Sequence, residues 1–231
     1  SKFSLNIDDT KLTGDVSVIS FKKPSIKFNI NADKLNLNKL LAKSSNAEKA
    51  STSEKSSAKP ADLSALKDLL IDGKLNVGSI LYDKYQVSGL NVNIKADGEK
   101  LTFGGLDVKV DDSKIKGSFA ISQFAKPLYS FDLTIDQLDM DKYAAASSDT
   151  SAKKSDKPLD LSALKSLNAD GSLRIGHLKY GKTKASNIRI DLKADGQKLS
   201  LNPLAAKVDD SQVNASVGIS RFSDPIYSFN V

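Results

Sequence analysis

The sequence predicts a mainly β protein: repeated antiparallel strands forming one strongly curved sheet, with short helices at the repeat junctions. The first observation behind this is a repeat. "KADGEKLTF" at 95–103 returns as "KADGQKLSL" at 193–201, and "DLSALKDLLIDGKLNVGSILY" at 62–82 returns as "DLSALKSLNADGSLRIGHLKY" at 160–180. "VDDSKIKGSFAISQFAKPLYSF" at 110–131 returns as "VDDSQVNASVGISRFSDPIYSF" at 208–229, and "IDDTKLTGDVSVISFKKPSIKF" at 7–28 is a third copy of it. The second observation is alternation: in "LYSFDLTID" the apolar Tyr129, Phe131, Leu133 and Ile135 interleave with Ser130, Asp132, Thr134 and Asp136, the period-2 signature of a half-buried strand.

These repeats divide the chain into a partial repeat at 1–43, a full repeat at 61–146 and a truncated repeat at 159–231, expected to form one continuous β body. Ser1 and Val231 both fall within predicted strands, so the chain is expected to start and stop inside repeat units. Between the repeats, 44–60 and 147–158 are rich in Ser, Ala and Lys without periodic apolar positions, the composition of flexible linkers.

Each full repeat opens with "DLSALK". Asp62 can cap a short helix in which Leu63, Leu66 and Leu69 or Leu70 recur at helical spacing. So short a helix needs tertiary packing to persist and reads as a lid or plug on something apolar. Five strands follow, at about 73–81, 85–96, 100–110, 113–122 and 128–137. Asp97-Gly98 and Asp195-Gly196 lie between strands, where Asp-Gly takes the positive φ of a tight hairpin turn. Gly104-Gly105 lies inside a strand and marks a bulge or bend. If the next repeat pairs antiparallel onto the fifth strand, each repeat is reversed relative to the one before.

On the apolar face the expected lining residues are Leu75 and Val77, then Leu90, Val92 and Ile94, then Leu106 and Val108. Ile115, Phe119 and Ile121 follow, and Tyr129, Phe131, Leu133 and Ile135 complete the full repeat. The next repeat contributes Leu173 and Ile175, then Ile188, Ile190 and Leu192. Val217, Ile219, Tyr227 and Phe229 close the set. A sheet with one apolar face must cover it, at about 25 cal/mol per Å² of burial. The face can curl onto itself as a barrel or sandwich filled by side chains, or form a trough occupied by an apolar ligand; alternation alone does not choose between them.

Chemistry is scarce. The chain has no cysteine and one histidine, His177, which removes disulfides, thiolate metal sites and histidine triads. His177 reads as a half-exposed strand residue without an identifiable nucleophile or orienting carboxylate. Asp8-Asp9, Asp111-Asp112 and Asp209-Asp210 each precede Thr or Ser between strands and read as turns. No catalytic residue, metal site or cofactor is expected. The net charge of +6 is mostly lysine interleaved with aspartate, with only Arg174, Arg189 and Arg221 and no tryptophan, which argues against nucleic acid as a partner. No apolar run approaches the roughly 20 residues needed to span a bilayer.

"SFDLTIDQLDMDKY" at 130–143 resembles the AsmA-like family of bacterial envelope proteins, in which such a strand runs into a short helix; "FNINADKLNLNKLLA" at 28–42 is a weaker version. The stretch "DGSLRIGHLKYGKTKASNIRIDLKADGQKLSLNPLAAKV" at 170–208 resembles that family's carboxy-terminal region, although Val-Asp-Asp-Ser stands where many members carry Tyr-Gly-Gly. The resemblance implies a periplasm-facing protein, tethered to a membrane through segments outside this sequence, whose β-groove lets phospholipid acyl chains cross between inner and outer membranes. It favours the open trough over the alternative, an envelope scaffold or interaction module with a filled core. Truncated terminal strands are expected to invite edge-strand self-association.

Overall fold

The computed structural model describes residues 1–7, 9–20, 24–38, 63–82, 85–144 and 161–231. The fold class is the expected one: mainly β, with thirteen strands following chain order in a sheet that does not close, and few helices. Contacts divide the chain into two compact units, Ser1–Pro127 and Leu128–Val231.

The first unit holds β1 (Lys2–Ile7), β2 (Thr10–Ser20), β3 (Ser25–Asn36), β4 (Leu70–Tyr82), β5 (Tyr85–Asp97), β6 (Lys100–Val110) and β7 (Ser113–Ser122). The second holds β8 (Leu128–Asp139), β9 (Asn168–Tyr180), β10 (Thr183–Asp195), β11 (Lys198–Val208), β12 (Ser211–Ser220) and β13 (Ile226–Asn230). Strand boundaries fall within three residues of those read from the alternation. No helix among the described residues is long and apolar enough to cross a membrane.

One expectation about direction fails. The strand that opens each repeat pairs onto the strand before it, but parallel: β3 with β4, matching Phe28 to Gly73 and Ile30 to Leu75, and β8 with β9, matching Phe131 to Gly171 and Leu133 to Leu173. Parallel neighbours require the chain to return to the starting rim, which takes a dozen residues or more; residues 37–69 and 140–167 supply that length. The opening strand therefore keeps its predecessor's direction, and no reversal occurs at the junction. Within each unit the other neighbouring strands pair antiparallel.

The junction helices are 3-10, not α: Ser64–Asp68 and Ser162–Ser166, neither with a side-chain cap. Asp62, like Asp8 and the two linkers, lies outside the described residues. Leu63, Leu66 and Leu69 are three apart, which is the 3-10 period. The bonds follow it, from Leu66 N to Leu63 O and from Leu69 N to Leu66 O.

The hairpin turns also shift by one residue. Asp97 ends β5 and Lys100 starts β6, so Gly98 and Glu99 form the turn, with Gly98 alone at φ +88°. Asp97 instead caps the turn, its Oδ1 accepting the Glu99 and Lys100 amides at 2.9 and 2.8 Å. Asp195 does the same for Gln197 and Lys198.

Candidate functional site

Cross-strand register assembles the expected lining residues into continuous rows, because directly paired residues share a face. In the first unit, Leu75 pairs with Val92, Val77 with Leu90, and Gly73 with Ile94. Ile94 pairs with Phe103, which pairs with Phe119, and Val108 pairs with Ile115. The tilted Phe103 and Phe119 rings lie 6.1 Å apart. In the second unit, Ile135, Ile175 and Ile188 form one row and Leu133, Leu173 and Ile190 the next. Phe131, Gly171, Leu192, Leu201, Val217 and Phe229 form a third, and Ile219 pairs with Tyr227. Every expected lining residue of a unit thus stands on that unit's apolar face.

In the first unit, bulges in β5 and β6 keep the face continuous. In β6, pairing with β7 shifts between Phe103 and Leu106. The extra residue at Gly104-Gly105 returns Leu106 and Val108 to the side held by Leu101 and Phe103. In β5 the shift lies between Ser88 and Asn91, around Gly89 at φ +63°. Beyond it Leu35 pairs with Ile80, Ile80 with Val87, and Val87 with Val110. Val110 alternates with Val108, so this row extends the apolar face to the Tyr82–Tyr85 pair. Ile80, Tyr82, Tyr85 and Val87 fall out of phase with Val77 and Leu90 and escape a reading by period 2. The signal for them is Gly89, whose repeat counterpart Asn187 also has positive φ, +52°.

Burial along the face is uneven. Val77, Val92, Val108, Ile175 and Ile188 are buried, Tyr227 and Phe229 on β13 are exposed, and the other expected lining residues are half-buried. A filled core would enclose its largest side chains; here Phe103, Phe119, Phe131, Leu75 and Leu133 are only partly buried. Phe28 and Phe131 instead lie across the parallel neighbour strand, each ring against the place where Gly73 or Gly171 would carry a Cβ. That contact explains the glycine of the "IDGK" and "ADGS" stretches.

Among the described residues, the largest fully buried side chains are Phe124 and Phe222, in the turns after β7 and β12. The carbonyl of Phe124 accepts the Leu63 amide that opens the first 3-10 helix, and Phe222 does the same for Leu161. A Cβ on Gly98 would meet Lys67 O at 2.7 Å, and one on Gly196 would meet Lys165 O at 2.6 Å, so helix, hairpin and phenylalanine turn meet at one rim. The apolar face ends there at Ala96 in one unit and Ala194 in the other, only 5% and 2% exposed. Among the described residues, the junction helix is a plug on one rim of the face. Sequence reading missed Phe124 and Phe222 because both follow a strand; their recurrence in "ISQF" and "ISRF" is the available signal.

The opposite face is polar and internally paired. Asn76 donates to Asn31 at 2.8 Å, Arg174 pairs with Asp132, and Asp191 accepts from Arg189 and Ser172. Arg189, then Ser172, hold the Asp191 carboxyl below its usual range. His177 is exposed on a strand, opposite Ser186 and Gln137. Asp111 and Asp209 occupy turns with φ of 51° and 49°. The "LDMD" stretch is explained by Asp139 and Asp141, which both pair with Lys179 at 3.2 Å, while Asp141 also accepts the Gly181 amide. The Gly181 amide, then Lys179, lower the Asp141 pKa; Asp141, then Asp139, raise that of Lys179. These carboxylates tie the end of β8 to the next hairpin, a structural task.

Comparison of the chain with family models, curated proteins and solved structures returns no match.

Proposed function

We propose that the apolar face is a non-catalytic binding surface for phospholipid acyl chains, part of a conduit for phospholipid transfer between inner and outer bacterial membranes. The observation that carries this reading is the incomplete burial of large apolar side chains on a continuous face, Phe131 and Leu133 among them. Exposed apolar area beyond a few hundred Å² marks an interaction surface, and a face open along its strands suits a chain-like ligand. The AsmA-like resemblance of 130–143 and 170–208 supplies the setting: a periplasmic protein anchored to a membrane through other segments. Acyl chains partition onto the face by the hydrophobic effect while head groups stay in water, and no bond is made or broken.

The test is a pair of measurements on the second unit. A photocrosslinking amino acid at Leu133 is expected to form phospholipid adducts in cells. Phe131→Asp is expected to leave the protein folded, because a carboxylate at this partly exposed position can be hydrated, and to reduce those adducts. Global unfolding of the variant, with no lipid adduct at Leu133 in the parent, would sink the conduit and favour a filled-core scaffold, since burying an unpaired charge costs several kcal/mol.

A further inference from the structure

The two ends of the apolar face in the first unit are not equivalent. At one rim Ala96 is 5% exposed and Phe124 1%, beside the 3-10 helix that Leu63 anchors to the Phe124 carbonyl. At the other, Ile80 and Val87 lead to the Tyr82–Tyr85 pair, and Tyr82 is 46% exposed. One end is sealed by a wedge; the other ends in tyrosines, whose apolar ring and hydroxyl suit a boundary between hydrocarbon and water.

Resting on the lipid-binding reading above, we infer that this face orients its ligand: the hydrocarbon tail runs along the strands towards the Phe124 wedge and the polar head group lies at the Tyr82 rim. A head group at the wedge would be desolvated against Ala96 and a buried phenylalanine, with an unpaired polar group costing a few kcal/mol. At the tyrosine rim it stays hydrated. The distances allow this arrangement. From Val87 to Ile94 on β5 is about 23 Å at roughly 3.3 Å per residue. That exceeds the ~15 Å that the tails of one leaflet span in a bilayer's hydrocarbon core, so a tail of that span lies wholly on the face with its terminal methyl directed towards Ile94.

The chain has no tryptophan, so a single introduced one reports without background. Ile80→Trp places it near the open rim, and Ile94→Trp places it towards the wedge. Each variant is mixed with phosphatidylcholine carrying a nitroxide on its stearoyl chain, either near the carboxyl end or near the terminal methyl. Ile80→Trp is expected to lose its emission to the label near the carboxyl end and keep it with the terminal label, and Ile94→Trp to show the reverse. Equal quenching by both labels, or the opposite pattern, overturns the orientation while leaving lipid binding intact. Absence of quenching in both folded variants overturns lipid binding itself. Val87→Trp and Phe103→Trp, which pair with Ile80 and Ile94, replace either variant that fails to fold by circular dichroism.

Discussion

The wedge and the face are made of the same kinds of residue and have opposite fates. Phe124 is 1% exposed in a turn, whereas Phe119, a few residues earlier on β7, is only partly buried on the broad apolar face. The difference lies in what surrounds each ring. Phe124 sits where a helix, a hairpin and its own turn converge, while Phe119 belongs to a row in which it pairs with Phe103 on β6. Enclosure from several directions gives stability; a single sheet surface gives area that a ligand can still reach.

That contrast predicts its own largest break. Phe124→Ala leaves a cavity in the enclosed site and is expected to destabilise the protein by about 3–5 kcal/mol. Phe119→Ala removes a partly buried ring and is expected to cost clearly less, by the area it no longer covers. Urea unfolding of the two variants measures the gap, and equal losses would mean that the face is as enclosed as the wedge.

A smaller effect sharpens the comparison through two glycines. Gly98 at the sealed rim has φ +88° with Lys67 O 2.7 Å from a would-be Cβ; Gly89, in the open half, has φ +63° and nothing within 4 Å. Both alanine variants incur left-handed strain, roughly 1–2 kcal/mol. Only Gly98→Ala must also displace the helix carbonyl, so its midpoint is expected to fall further. Matching midpoints would show that the helix is not held against the hairpin.

The same two regions show what the sequence made legible. The sheet was readable because each strand alternates over about ten residues and the repeat confirms each register at a second place: Leu75 with Val92 recurs as Leu173 with Ile190. The parallel junction was not readable. Strand direction there depends on where residues 37–69 return the chain, and periodicity carries no information about direction. Phe124 was missed because enclosure by elements distant in sequence has no local period, and Ile80 and Val87 because a bulge reverses the alternation that identifies a face. What did emerge from pattern, the apolar face itself, is the part of the site built from regular strand; the plug that makes its two ends different is irregular backbone.

The smallest expected effect concerns acid and also separates the rims. The Glu99 and Lys100 amides hold the Asp97 carboxyl below its ordinary range, and the Lys198 and Gln197 amides do so for Asp195, with lysines 100 and 193 adding minor attraction. A folded-state pKa below the unfolded value means that the unfolded chain takes up the proton first. The contribution is therefore present above the ordinary carboxylate value of about 3.9 and is lost as pH falls through the lowered folded value. Asp97→Asn together with Asp195→Asn keeps an acceptor oxygen at each turn and removes the titration. Asp33, Asp141 and Asp191, whose pKa values are also lowered, are present in both proteins and cancel in the comparison. The thermal midpoints of parent and double variant are expected to differ by a constant near neutral pH and to converge below about pH 4. A gap unchanged across that range would show that the turn amides do not favour the charged aspartates, and the hairpins under the 3-10 helices would then owe their shape to Gly98 and Gly196 alone.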